Sequence, residues 1–383
     1  MGDVRFPKGV TDGAREVTGQ CLGEKCRRCM AECPMMDRFG PCPGELLRPL
    51  AEDGVLDPLL AYSCTGCGNC TLVCPKDLPL KDIFLGARPA IASANGGHSP
   101  FPGHTTVRFH QHFGFSGPFT TTVEPQTTET PKRAFLAGCS LTSSAPEEVT
   151  KMLEWLQTQL PGTGAVQKCC GLPTKNMGQE DLFAKRFASL QNDLDVLGVD
   201  ELIVACQNCK NTIETYGTVR TRSLWEVLPD IGIPEECRGK GKDTGTVFTI
   251  HDSCPTRYDQ PIHDGIRWLM SELGYTVVEA DESREKTRCC GAGSMAGYVN
   301  PEARDRAVRQ RLDSLPAENI AVYCGTCRST LASGGGRVWH ILDLLFGPPV
   351  YPGDEPPENV LASTAKAWAN RYRCKHALEN MED

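Results

Sequence analysis

The chain has 383 residues, 40% of them hydrophobic, with a net charge of -8 at pH 7; that length fills two or three cores, and the acidity excludes a nucleic-acid partner, which leans on clustered Lys and Arg. Its 21 cysteines argue for thiolate metal ligands rather than a secreted disulfide scaffold, because such scaffolds are small and follow an export signal. The start Met1-Gly2-Asp3-Val4-Arg5-Phe6 has no apolar signal core, and no stretch approaches the roughly 18 apolar residues that span a bilayer, so a cytoplasmic protein is expected.

The N-terminal part carries two ferredoxin-type runs. The first is Cys26-Arg27-Arg28-Cys29-Met30-Ala31-Glu32-Cys33-Pro34, with Gly23 where regular spacing puts a cysteine and Cys21 as its replacement. The second, Cys64-Thr65-Gly66-Cys67-Gly68-Asn69-Cys70-Thr71-Leu72-Val73-Cys74-Pro75, is complete. Three closely spaced thiolates reach three irons of one 4Fe-4S cubane, and the fourth, turned away by the proline, serves the other cluster of a pair. Crossed ligation then gives Cys21, Cys26, Cys29 and Cys74 to one cubane and Cys33, Cys64, Cys67 and Cys70 to the other. Cys42, between prolines, reads as a packed thiol. Leu46, Leu47, Leu50, Leu56, Leu59 and Leu60 suit short helices between the two loops. A mainly helical ferredoxin-type domain with two 4Fe-4S clusters is expected over residues 1–96. Residues 97–131, rich in Gly, Pro, Ser and Thr, read as a linker. The histidines His98, His104, His110 and His112 fit no ligand spacing there.

From residue 132 a five-cysteine pattern occurs twice: Cys139, Cys169-Cys170-Gly171 and Cys206-Gln207-Asn208-Cys209, then Cys254, Cys289-Cys290-Gly291 and Cys324-Gly325-Thr326-Cys327. Strand and helix signals alternate around both copies. In the first, a strand is expected from Arg133 to Ala137, a helix opened by Pro146 with Ser144 as its cap, a helix with Phe183, Phe187, Leu190, Leu194 and Leu197 on one face, and a strand from Leu202 to Ala205. The second repeats it: strand from Thr246, helix with Ile262, Ile266, Leu269, Met270 and Leu273, strand from Tyr275, helix from Pro301, strand from Ile320. These are two related α/β repeats with parallel, Rossmann-like sheets, over residues 132–240 and 241–347, before a C-terminal tail at 348–383. In open α/β sheets the ligand crevice lies beyond the carboxyl ends of the strands, where all these cysteines are expected to sit. A cubane needs only four thiolates, and adjacent residues of extended chain point to opposite sides. The Cys-Cys pair therefore suits an opened cluster with a bridging thiolate, with Gly171 or Gly291 letting the backbone come close. Zinc in one of the two sites is the competing occupant, since thiolates suit both metals.

These residues resemble the cysteine-rich CCG domain family. Ferredoxin runs followed by two such domains resemble the heterodisulfide reductase family, in the form where its ferredoxin-like and catalytic parts are fused into one chain, over roughly residues 18 to 347. The resemblance implies non-cubane 4Fe-4S clusters at both five-cysteine sets, flanking a small disulfide-type substrate that is reduced with electrons from the two cubane clusters. Similar domains occur in iron-sulfur subunits of glycolate, lactate and glycerol-3-phosphate oxidation, so the resemblance also allows an electron-transfer and docking subunit without its own substrate. In either case it implies a hetero-oligomeric complex with a flavin-containing subunit or a membrane cytochrome, peripheral at the inner face of the membrane. The chain itself has no Gly-x-Gly-x-x-Gly after a strand, so a partner must exchange the electrons. One departure stands out: relatives commonly carry His directly after the cysteine that opens the second set, and here Pro255 follows Cys254. His251 is the expected replacement proton donor, with His340 a second candidate. Lys168, Lys210, Arg288 and Arg328, beside the cysteines, are candidates to hold an acidic substrate.

Overall fold

A computed structural model describes residues 4–381. Its backbone forms two compact units: one from residues up to 110 with 173–184 and 286–313, the other from 111–172, 185–285 and 314 onward.

The first unit is helical where it begins. Val10, Ala14 and Val17 recur at helical spacing along Lys8–Gln20, which packs on Pro43–Asp53 and Leu80–Ala94. Leu47, Leu50, Leu60, Ile83, Phe84, Ala87 and Ile91 close this core. Pro43 and Pro58 open their helices, where the missing N–H costs nothing, and the Asp57 carboxylate caps Leu59 N–H at 2.8 Å. Segments 173–184 and 286–313 are tied in through Arg88, whose guanidinium donates to the carbonyls of Ala61, Cys64, Asn176 and Ser294, and through Tyr62, whose hydroxyl donates to Met177 O at 3.0 Å.

The second unit holds two sheets. Strands β1 Thr121–Val123, β2 Arg133–Leu136, β3 Gly164–Gln167, β4 Glu201–Val204 and β5 Arg220–Ser223 form the first, ordered β1-β3-β2-β4-β5 and parallel except for β1. Strands β6 Val247–His251, β7 Thr276–Val277, β8 Asn319–Val322 and β9 Arg337–His340 form the second, ordered β7-β6-β8-β9 and all parallel. Parallel strands are covered on both faces, so the central ones read as unbroken apolar runs, Leu202-Ile203-Val204 and Ile320-Ala321-Val322. One core spans both sheets, with Phe135, Ile203, Trp225, Phe248, Tyr275, Tyr323 and Trp339 among its members. Among the described residues no helix is long and apolar enough to cross a membrane.

Three segments differ from expectation. Ser144 does not cap the helix opened by Pro146; it ends the short helix Cys139–Ser144, and Ala145 stands at the cap without a side-chain bond. Residues 97–131, read as a linker, contain the helix His104–Phe113 and β1, which extends the first sheet as an antiparallel edge. The tail beyond 347 contains the helix Thr364–Glu379, capped by Ser363, with Cys374 fully buried on it.

A buried ion pair fixes the loop after β6. Asp252 is fully buried and held by both terminal nitrogens of Arg267, at 2.6 and 2.8 Å, while Arg267 Nε reaches Glu279 at 2.8 Å. Burial pushes the Asp252 carboxyl up, and Arg267 more than reverses this, holding it below the usual range. Arg267→Met leaves that carboxylate without its counter-ion and is expected to cost about 3–5 kcal/mol. A thermal unfolding midpoint equal to that of the parent protein would refute this.

Candidate metal centres

The eight thiols of the ferredoxin-type runs gather into two groups. Cys21, at the end of Lys8–Gln20, lines one cavity with Cys26, Cys29 and Cys74. Cys33, Cys64, Cys67 and Cys70 line another, which runs on to Gly291, Asn300 and Arg304. Cys29 lies inside the short helix Arg28–Glu32 and Cys33 caps its end, so one turn of helix sends the two sulfurs to different cavities. The electrostatics follow the same grouping. Burial, then Cys21, Cys74 and Cys26, push the Cys29 thiol up to about 11. Burial and Cys67 push Cys33 up to about 12, and burial with Cys67, Cys64 and Cys33 raises Cys70 well above its ordinary value. Thiols that oppose one another's ionisation in a buried pocket fit a cationic metal group, which stabilises all the thiolates together. Cys42 is buried at the cap of Pro43–Asp53 and lines neither cavity.

The Cys289-Cys290 pair belongs to the first unit and packs on the second ferredoxin-type loop. Cys289 Sγ lies 3.3 Å from Thr65 Oγ1, in the loop between Cys64 and Cys67, and Gly291 N–H points back at Cys289 Sγ at 3.2 Å. Beside it Arg288 pairs with Glu32 at 3.1 Å, and Glu32 accepts from Asn69 at 3.2 Å. The Cys64 thiol is raised to about 11 by burial, with Arg88 and the Gly66 N–H opposing.

In the second unit the first five-cysteine set is contiguous. Cys139 follows β2, Cys169-Cys170 follows β3, Cys206 follows β4, and Cys209 lies in the first turn of the helix Gln207–Tyr216. Their sulfurs form one chain of hydrogen-bonded neighbours, Cys139 to Cys169 to Cys170 to Cys209 to Cys206. Bonds from Cys169 and Cys209 pull Cys170 down to about 5, while Cys139, bonded to Cys169 and buried, is raised well above its usual value. Gly138 makes this crowding possible: its φ is +86°, and a Cβ there would lie 2.6 Å from Cys206 Cβ. Cys169 Sγ also accepts from Gly171 N–H at 3.4 Å and from Gln111 Nε2 at 3.3 Å.

Of the second set, Cys254, Cys324 and Cys327 lie in the second unit, Cys254 after β6, Cys324 after β8 and Cys327 on the helix Gly325–Ser333. A hydrogen bond from Cys327 pulls Cys324 down to about 6. His251, the last residue of β6, is buried with a ring nitrogen within 4.8 Å of Cys327 Sγ. The rule that each cysteine follows a strand end fails for Cys289-Cys290: β7 is two residues long, and a loop through the turn Arg284–Lys286 separates it from the pair. Within the second unit the two sets adjoin, Ser140 Oγ lying 3.0 Å from Thr326 Oγ1 and Asn211 donating to Pro255 O at 2.9 Å.

The cations beside the cysteines are each taken by a carboxylate: Lys168 by Asp193 at 2.6 Å, Lys210 by Glu214 at 2.9 Å, Arg288 by Glu32 and Arg328 by Asp343 at 3.2 Å. They are charge-compensated by the protein itself, so the expectation that they hold an acidic substrate loses its basis. His340 has a structural post. It caps the helix Ile341–Phe346, its Nδ1 accepting from Leu342 N–H at 3.2 Å, and burial followed by the Arg328 charge lowers it to about 3, so it carries no proton to give at neutral pH. Sequence reasoning missed Arg88, Gln111 and Arg371, which come from helices outside the cysteine motifs: Arg88 donates to the Cys64 carbonyl, Gln111 to Cys169 Sγ, and Arg371 meets Cys139.

Cys21→Ser is expected to abolish the metal-dependent absorption of one ferredoxin-type centre and Cys42→Ser to leave it intact, because only the first lines a cavity. Iron analysis with visible spectra after purification without oxygen checks both, and a reversed outcome would mean that the longer first loop is bridged by another residue.

Comparison with known proteins agrees with this architecture. The 4Fe-4S dicluster domain family matches residues 20–79, and the cysteine-rich CCG domain family matches 133–214 and again 248–332. The chain is 25% identical over 364 residues to an uncharacterized iron-sulfur protein of Methanocaldococcus jannaschii, covering 85% of this chain and 68% of that one. It is 23% identical over 363 residues to one of the subunits of the fumarate reductase (CoM/CoB) of Methanothermobacter marburgensis, covering 84% and 71%. Over 298 residues it is 22% identical to one of the subunits of the dihydromethanophenazine:CoB–CoM heterodisulfide reductase of Methanosarcina barkeri, covering 71% and 72%. A ferredoxin-type pair of buried thiol cavities followed by two five-cysteine α/β repeats thus makes this chain an iron-sulfur protein in which a 4Fe-4S dicluster domain is joined to two CCG domains.

Proposed function

We propose that this chain is an oxidoreductase subunit that passes electrons from two cubane 4Fe-4S clusters to non-cubane clusters at its two CCG sites, where a small disulfide is reduced. Cys21, Cys26, Cys29 and Cys74 hold one cubane and Cys33, Cys64, Cys67 and Cys70 the other. Cys139, Cys169, Cys170, Cys206 and Cys209 hold the first CCG cluster, and Cys254, Cys289, Cys290, Cys324 and Cys327 the second, in Rossmann-like halves over 132–240 and 241–347. When bound, such clusters supply one-electron storage and, at the CCG sites, iron able to take up sulfur.

The observation that carries the reading is the 3.3 Å contact of Cys289 with Thr65. It sets a CCG cysteine against the loop of a ferredoxin-type site inside one compact unit, which supports the second CCG site as the one that receives electrons. The other ferredoxin-type site then faces the partner, a flavin-containing or membrane cytochrome subunit that would hold this chain at the inner face of the membrane. His251, buried beside Cys327, serves as proton donor to a leaving thiolate, since Pro255 offers neither a side-chain donor nor an N–H. One observation favours a second reading, an electron relay without its own substrate: Ser140 with Thr326 and Asn211 with Pro255 bring the two CCG sets into contact, which leaves less room for a substrate.

Protein purified without oxygen is expected to carry about 16 irons, four per cluster. A count near eight with zinc would assign zinc to a CCG site. His251→Gln is expected to keep the iron and slow disulfide turnover by about 100-fold, the loss typical of a general acid. Full-rate turnover in that variant would exclude His251, and a parent protein that reduces no disulfide yet exchanges electrons with a redox partner would select the relay.

A further inference from the structure

The helix Thr364–Glu379 lies outside every segment matched by the two domain families, yet it delivers a guanidinium to the first CCG site. It is fastened along its length. Arg371 Nε donates to Phe119 O at 3.1 Å and Nη1 to Thr142 Oγ1 at 2.9 Å, Gln167 donates to Arg371 O at 3.0 Å, and Lys375 reaches Gly117 O at 2.8 Å. Thr142 sits on the short helix that begins with Cys139, so the fastening brings Arg371 to that cysteine.

Arg371 is 2% exposed, and among the described residues no carboxylate pairs with it. Its Nη2 is buried without an oxygen or nitrogen partner. The ionisable group it meets is Cys139, whose sulfur its guanidinium is hydrogen-bonded to, one turn from the Thr142 hydroxyl that fastens it. A guanidinium buried without counter-charge is unfavourable, and the cations adjacent in sequence to the CCG cysteines, Lys168, Lys210, Arg288 and Arg328, each have a carboxylate. The anion that fits Arg371 is the thiolate set itself. Gln111, also outside the matched segments, adds a donor to Cys169 Sγ.

We propose that Arg371 is a positioning residue of the first CCG site, supplying from the C-terminal helix the fixed positive charge that offsets the thiolates at Cys139 and raises the reduction potential of the cluster bound there. A positive charge and donors at the sulfurs favour the more negative, reduced state. The inference rests on the first set being a cluster site.

The test is a redox titration of the full chain followed by electron paramagnetic resonance, the first-site signal being the one lost in Cys139→Ser. Arg371→Gln is expected to lower its midpoint by a tenfold change in the reduction equilibrium, about 59 mV for one electron. Arg371→Lys, which keeps the charge, and Thr142→Val, which keeps the guanidinium but removes the hydroxyl that fastens it and that bonds the Gly138 and Cys139 carbonyls, are expected to move it by less than half of that. An unmoved midpoint in an iron-replete Arg371→Gln protein overturns the proposal, as does a Lys variant that falls as far as the Gln variant. Should the Gln variant fail to retain iron, the Lys variant decides, and a shifted or empty site there counts against the proposal. A parent protein without any Cys139-dependent signal overturns the cluster reading itself, a failure distinct from an unmoved potential.

Discussion

Sulfur packed against sulfur away from water is the condition on which the rest of this structure depends. Each ferredoxin-type cavity gathers four thiols, and burial together with the neighbouring sulfurs drives Cys29, Cys33 and Cys70 toward the neutral form. Such a pocket gains nothing from its thiols until a cation lets them ionise together, and then it gains from all of them at once. The short elements that carry these thiols gain little from helix formation itself. Arg28–Glu32 has five residues and Asn69–Leu72 four, far short of the length at which a helix persists alone in water. Metal binding there is part of the folding free energy, whereas the two parallel sheets have a shared apolar core of their own.

The same condition governs the cations. Lys168, Lys210, Arg288 and Arg328 lie next to the cysteines in sequence, where electrostatic steering of a substrate would look natural, but each is neutralised by a carboxylate. Two buried guanidiniums with which no carboxylate pairs among the described residues come from elsewhere. Arg88 makes five hydrogen bonds to carbonyl oxygens, one of them to Cys64 O at 2.6 Å, and burial lowers it only to about 10, so it stays charged at neutral pH beside a ferredoxin-type site. Arg371 stands in the same relation to Cys139. A carbonyl-lined cation costs less to bury when an anionic cluster lies next to it, which gives both arginines a reason to be where they are.

Much of this was legible in the residues. Ligand spacing grouped Cys21 with the first run because a tight loop leaves few ways for four thiols to meet, and the central strands showed as apolar runs because parallel sheets are covered on both faces. The short edge strand β1 was hidden, since Thr121-Thr122-Val123 in a Pro- and Thr-rich stretch has no alternation to detect. The C-terminal helix was hidden for a different reason. Its buried face includes Asn370, Arg371 and Cys374, and periodicity methods read apolar faces, not polar ones buried for a contact. Sequence adjacency likewise cannot say which carboxylate will meet Lys168 or Arg328, because those partners arrive from other turns of the fold.

The repeat duplicates the thiols but not their surroundings. In the first set all five sulfurs belong to one unit, with Gln111 and Gly171 donating to Cys169 and Arg371 beside Cys139. In the second set the Cys289-Cys290 pair belongs to the unit of the ferredoxin-type sites, where the Thr65 hydroxyl lies against Cys289, and Cys324 is instead governed by its bond to Cys327. Identical ligands in unlike fields hold a bound group at unlike potentials, since donors to sulfur and nearby charge are the terms a protein controls. On the proposed reading it is the buried charge of Arg371, fastened through Thr142 beside Cys139, that sets the first set apart from the second.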